Sequence, residues 1–315
     1  MFKSFFQSKQ WAVWAWGGLL LIILFIFCDV YLSVKFNKWY KSFYDILQAP
    51  KDIALFWSAL KYFLVIALIS ISIRVLAIYL ANHYTLRWRQ AMTHYYIPLW
   101  KMLDKEVEGS SQRIQEDTQK FARLVEELGA QLIRSLLTLF AFIPILWHLS
   151  EGIAISMLQF PGSLVTVALL MSIGGLIISW LVGIKLPGLE YNNQKVEATF
   201  RKQLVYGEDN KNYVDFNLLT EMFTGIRYNY SRLFLHYTYF NIWKNFYYQF
   251  NIILPYLLIA PSLFTGAITL GVIVQTGNAF GQVHEASSVL LDRWTQVTEL
   301  RSVLKRLKEF EYAIT

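Results

Sequence analysis

The chain has 315 residues, a formal net charge of +7, 55% hydrophobic residues and 16% charged residues. Soluble domains average about 25% charged, so this composition excludes disorder and an ordinary soluble enzyme of this size. It fits a membrane protein whose polar groups gather at its ends. The single cysteine, Cys28, excludes a disulfide framework within the chain and a multi-cysteine metal site.

In chain order, Met1–Gln10 carries Lys3 and Lys9 ahead of an apolar run that reaches Asp29 without a small-residue cleavage site, which reads as an uncleaved first span. A membrane helix needs roughly 20 mostly apolar residues, and that criterion predicts six spans at about 11–32, 55–80, 128–149, 164–186, 239–263 and 267–283. The fifth is interrupted by Lys244, Asn245, Gln249 and Asn251. Lys and Arg cluster in 83–127, in 187–232 and in the tail from 284, whereas 150–163 and 263–267 hold none. Positive charge marks the cytoplasmic side, so both termini are expected in the cytoplasm. One segment conflicts: Val34–Lys51 carries Lys35, Lys38, Lys41 and Lys51, yet parity makes it an outside loop. The basic residues form no single stripe, which speaks against nucleic acid as the partner.

The long cytoplasmic segments read as helix. Trp88, Met92, Tyr95, Tyr96, Leu99 and Leu103 recur at three- and four-residue steps, as do Ile114, Phe121, Leu124, Val125 and Leu128. Helices two and three are expected to meet at a turn near 107–112, and helices four and five near 207–213. Six helices with long inner extensions have the shape of the membrane half of an ABC exporter. The chain contains no G-x-x-x-x-G-K-[ST] phosphate loop, so this polypeptide alone is not expected to hydrolyse ATP.

The acidic residues carry the chemistry. Glu190, Glu197 and Glu208 fall within about 20° of one another on one helical face. Glu116 and Glu127 share a face, and Glu126 points about 80° away from Glu116. Glu285, Asp292 and Glu299 make a third stripe of seven-residue steps. One reading is a ladder of carboxylates along a wet cavity, since a desolvated Glu titrates closer to neutral pH. The plainer reading, favoured by spacing alone, is a solvated face with these carboxylates paired to Arg113, Lys120, Arg123, Lys195 and Arg201. The five histidines show no metal-binding spacing, and no nucleophile–base constellation is visible, so neither cofactor nor enzyme activity is expected.

Several ordered segments resemble one family. They are Phe43-Tyr44-Asp45, Arg87-Trp88-Arg89, Gln112–Thr118, Gly183–Glu190, Asn193–Ala198, Leu204–Asp209, Tyr239-Phe240-Asn241, Ile268–Gly271 and Phe280–Val283. The chain is similar to the SbmA/BacA family of bacterial inner-membrane peptide transporters. The resemblance implies an all-α integral membrane protein with six transmembrane helices and the ABC-exporter-like membrane fold, without an ATPase domain, as a domain-exchanged homodimer. It implies import of peptides or peptide-like antibiotics, driven by protons through cavity glutamates. The matching positions are Glu116, Glu126, Glu197 and Glu208 for proton coupling, with Tyr44 in the first loop; Tyr44 and Glu190 are taken as substrate-cavity residues. His94 and Gln203 stand where acidic residues are expected, and the family's extra N-terminal membrane region has no counterpart. The competing reading is a membrane subunit of an ABC transporter whose ATPase is a separate polypeptide.

Overall fold

The computed structural model describes residues 1–49, 52–103, 109–151, 160–211 and 215–314. Among these, all regular structure is helical. A short α1 (Phe2–Phe6) precedes α2 (Ala12–Gln48) and α3 (Ile53–Lys101). One turn, α4 (Ser110–Gln112), leads through a π-helical turn at Arg113–Asp117 into α5 (Thr118–Glu151). Then come α6 (Ser163–Gly183), α7 (Leu186–Asp209), α8 (Phe216–Phe264), α9 (Leu270–Asp292) and α10 (Trp294–Ile314). The helices form two compact units, one of 1–169 with 255–315 and the other of 170–254.

Among the described residues, four helical stretches are long and apolar enough to cross a membrane: Ala12–Gln48, Ile53–Lys101, Ser110–Glu151 and Ser163–Glu208. The fifth and sixth expected spans lie in α8 and α9, which are helical but are not among these four. The expected loop at 34–51 is corrected, since α2 continues unbroken to Gln48 and carries Lys35, Lys38 and Lys41 on helix. At 1.5 Å per residue, α2 is about 55 Å long, so Asp29 lies near its middle instead of at a span's end. The expected inner extensions are also helix, as far as Lys101 on one side of the first turn and from Ser110 on the other. Residues 104–108 and 212–214, within the two expected turns, lie outside the described residues.

In the first unit α2 and α3 run antiparallel, pinned at three levels. The Tyr84 hydroxyl donates to the Ala15 carbonyl at 3.2 Å, Arg74 Nε donates to Asp29 at 2.7 Å, and Trp39 Nε1 donates to the Ala59 carbonyl at 2.9 Å. Packing is tight at the first level, where Gly18 lies against the Tyr84 ring and leaves no room for a Cβ. The core joins Phe5, Ala15, Ile22, Tyr84, Trp88, Met92, Tyr96, Phe121, Leu307 and Phe310.

α9 docks on the far end of α2. Asn37 Nδ2 donates to the Gln275 carbonyl at 2.9 Å. The backbone N–H groups of Leu270 and Gly271 donate to the Gln48 and Asp45 side chains at 2.7 and 3.2 Å. Those N–H groups open α9 and have no partner within their own helix, so α2 caps α9 from outside. Two of the segments that carry the family resemblance, Phe43-Tyr44-Asp45 and Ile268–Gly271, thereby meet at one contact.

The second unit holds α7 with the adjoining parts of α6 and α8. Trp243 Nε1 donates to Ser179 Oγ at 2.9 Å, and the Tyr247 hydroxyl donates to the Met171 carbonyl at 2.7 Å. Gly175 and Gly183 admit the Tyr247 and Phe240 rings against α6. The aromatic run of α8 is therefore partly spent on packing.

Candidate functional site

The residues at the start of α5 separate into two faces. On the outer face Glu116 receives Lys120 Nζ at 2.6 Å, and Glu127 receives Arg123 Nε at 2.6 Å. The hydrogen bond from Lys120, then that from Gln112, holds the Glu116 carboxyl below its ordinary range. For Glu116 and Glu127 the solvated-pair reading of the sequence is the one realised.

Glu126 faces elsewhere. It lines a cavity of about 450 Å³ between α1, the start of α2, α3 and α5, with Phe2, Phe6, Trp16, Tyr84 and Trp88 among its walls. Among the described residues Glu126 makes no ion pair. It precedes the apolar run at 128–149, and burial, then the neighbouring Glu127 charge, raises its pKa. Taking charge out of water disfavours the ionised form, so this carboxyl holds its proton to a higher pH than an exposed glutamate does.

The π-helical turn between α4 and α5 encloses Asp117, which is fully buried. Arg306 on α10 grips both its oxygens at 2.6 and 2.9 Å, and Arg113 reaches it at 3.1 Å. Burial works to raise its pKa, but the two guanidiniums outweigh burial and hold the carboxyl below 3.8. Arg89 donates to the Gln115 carbonyl at 3.1 Å, so two more of the resemblance segments, Arg87-Trp88-Arg89 and Gln112–Thr118, also meet.

The remaining predicted residues are not gathered at this cavity. Tyr44 sits half-buried against the Phe43 ring, more than 20 residues along α2 from Trp16, Leu19 and Ile22 of the cavity wall. That separation is about 35 Å along the helix. Glu190, Glu197 and Glu208 all lie on α7 in the second unit. Glu190 and Glu197 are half-buried and Glu208 is exposed. His94 is exposed beside Trp11. The expected stripe of Glu285, Asp292 and Glu299 is divided between two helices, because α9 ends at Asp292 and α10 begins at Trp294.

Sequence reasoning missed a buried ion cluster. Asp29, 2% exposed, is held by Arg74 of α3 and Arg134 of α5. Arg134 is the one Lys, Arg, Asp or Glu of its predicted span and Arg74 shares its own only with Lys61; an isolated intramembrane charge is itself a signal. With two guanidiniums on one carboxylate, the cluster carries a net charge of about +1.

The SbmA/BacA-like family model matches residues 8–315. An inner membrane ABC transporter ATP-binding protein, YddA, of Escherichia coli is 28% identical over 93% of this chain and 56% of its own length. An uncharacterized ABC transporter ATP-binding protein of Synechocystis is 26% identical over 96% of this chain and 47% of its own length. ABC transporter D family member 2 of Arabidopsis thaliana, chloroplastic, is 28% identical over 89% of this chain and 40% of its own length. The chain spans about half the length of the curated relatives it matches. With apolar helices long enough to cross a bilayer, the chain belongs to the SbmA/BacA-like family.

Proposed function

We propose that the chain imports peptides or peptide-like antibiotics across a bacterial inner membrane, driven by the proton gradient, as a homodimer with cytoplasmic termini. The observation that carries this reading is Glu126, a desolvated carboxyl facing an aromatic-walled cavity and bound by no cation among the described residues. Burial raises the pKa of such a group, so its protonated form is favoured where the wall around it is dry. A proton drives a transporter only if two states of the protein bind it differently. Glu126 meets that condition if its wall is dry in one state and wet in the other. Glu197 and Glu208 extend the proton path along α7, and Tyr44 and Glu190 contact cargo. Glu116 joins the path once Lys120 releases it.

A second reading is the membrane half of an ABC transporter whose ATPase is a separate polypeptide. It is favoured by the names of the relatives and by the chain matching only about half of each. Reconstitution in liposomes separates the two. Under an acid-outside gradient and without nucleotide, a labelled cationic proline-rich peptide should enter, and Glu126→Gln or Glu197→Gln should abolish its entry. Entry that ignores the gradient and requires ATP with an added ATPase would overturn the first reading in favour of the second.

A further inference from the structure

A second cavity, of about 360 Å³, opens between α2 and α3 near their shared tip. Lys35, Lys38 and Ser42 of α2 meet Ser58 and Tyr62 of α3 around a floor of Trp39. Steps of three and four residues put 35, 38 and 42 on one helical face. The floor is fixed, since Trp39 Nε1 donates to the Ala59 carbonyl at 2.9 Å and the ring stacks on Phe43 at 4.7 Å. The serine hydroxyls are turned to carbonyls of their own helices, Ser58 to Leu55 at 2.8 Å and Ser42 to Lys38 at 3.4 Å. The available donors are therefore the two ammonium groups and the Tyr62 hydroxyl. No carboxylate is among the walls, and neither lysine makes an ion pair among the described residues. Two like charges one turn apart without a counter-charge repel one another and attract an anion.

The level of the cavity along the helices says which anion. The first apolar run ends at 32, so Lys35 and Lys38 follow it within two turns, and Ser58 and Tyr62 lie near the start of the run at 55–80. That is the boundary between hydrocarbon and headgroups, where Tyr31, Trp57 and Tyr62 stand exposed as an aromatic belt does. We propose that this cavity binds the phosphate of an anionic phospholipid headgroup. Lys35 and Lys38 pair with the phosphate oxygens, and the Tyr62 hydroxyl donates a further hydrogen bond. A choline headgroup brings its own cation and is disfavoured beside the lysines, whereas a glycerol headgroup brings none. With cytoplasmic termini, as proposed above, this tip lies outside, where lysines are normally few, and a bound anion offsets them. The side of the membrane rests on that reading, whereas the demand for an anion rests on the cavity alone.

The test is native mass spectrometry of the full chain, released from detergent with equimolar phosphatidylglycerol and phosphatidylcholine of the same acyl chains. The parent should retain phosphatidylglycerol about tenfold over phosphatidylcholine, as two lysines each attracting one anionic headgroup require. The double variant Lys35→Gln/Lys38→Gln should retain the two lipids equally, and Tyr62→Phe should weaken phosphatidylglycerol several-fold. Lys41→Gln removes an exposed charge of the same helix outside the cavity and should leave the preference intact. Ser42→Trp fills the cavity from an exposed position and should remove the preference without touching a charge, which decides the matter if the double variant fails to fold. Equal retention of the two lipids by the parent, a preference that survives the double variant or Ser42→Trp, or a loss as great in Lys41→Gln as in the double variant would overturn the proposal. Inorganic phosphate added at the lipid's concentration should leave the lipid bound; displacement would overturn the lipid in favour of a soluble phosphate. Peptide entry into liposomes is a separate readout, so loss of the lipid preference leaves the transport reading standing.

Discussion

At the residue scale, the charged side chains sort by whether burial is compensated. Asp29 is compensated by two arginines, so removing it leaves two guanidiniums between apolar helices. Asp29 is the buried member that joins both ion pairs, so Asp29→Ala, which removes both, should lower the unfolding temperature in detergent below that of Arg74→Lys. Equal unfolding temperatures for Asp29→Ala and the parent would show that the cluster contributes nothing. Asp117 provides a pH test with a defined sign. Its folded pKa is depressed, so its stabilisation is present above 3.8 and is lost as pH falls through the lower folded value. Thermal unfolding followed downward from pH 5 should show an acid-dependent loss in the parent that is missing from Asp117→Asn. Glu126 has the opposite sign. Its raised pKa means that its ionised form costs stability above the ordinary carboxylate range, so Glu126→Gln should unfold at the same temperature as the parent or higher near pH 7. A lower unfolding temperature there would contradict the uncompensated burial.

At the scale of elements, helix contacts depend on where a glycine faces a neighbour. A Cβ on Gly271 would collide with the Lys41 carbonyl and with Asp45, at the point where α2 caps α9. Backbone cannot yield as a flexible side chain can, so Gly271→Ala should destabilise by about 1–3 kcal/mol. Gly17, with open space around its missing Cβ, should accept alanine with a gain of up to about 1 kcal/mol. Parallel melts of the two variants check this pair, and a Gly271→Ala protein as stable as Gly17→Ala would refute the close approach. Much of this was legible in the sequence, because helix periodicity and apolar length are local properties. The angular offset of Glu126 from Glu116 also foretold that they face different surroundings. The extent of α2 was not legible. Lys35, Lys38 and Lys41 suggested a loop, whereas a helix carries spaced lysines with their heads in water. Nor was the Asp29 cluster legible, since its three members are 45 and 105 positions apart, and only packing joins them.

For the whole molecule, the antiparallel α2–α3 hairpin and the return through α5 require the α2–α3 tip to lie across the membrane from the α3–α5 turn. In a chain with Cys28 replaced by serine, Ala49→Cys and Ser111→Cys should react with an impermeant maleimide from opposite sides of oriented vesicles. Labelling of both from one side would refute the reading of α2 and α3 as separate crossings. The division of the chain into two units places Glu126 in one and Glu190, Glu197 and Glu208 in the other.

The Asp29 cluster also bears on how the protein is made. A helix delivered singly to the bilayer with one charge near its centre inserts at a penalty of about 2.5–3.5 kcal/mol. α2 and α3 cancel one another's charge as soon as both have left the ribosome, so the first hairpin can partition into lipid as a neutral pair. α5 arrives later with Arg134 and finds the acceptor already in place. Its retention in the bilayer then depends on a residue synthesised more than 100 positions earlier, which makes Asp29 a determinant of membrane integration during translation as well as of the finished fold.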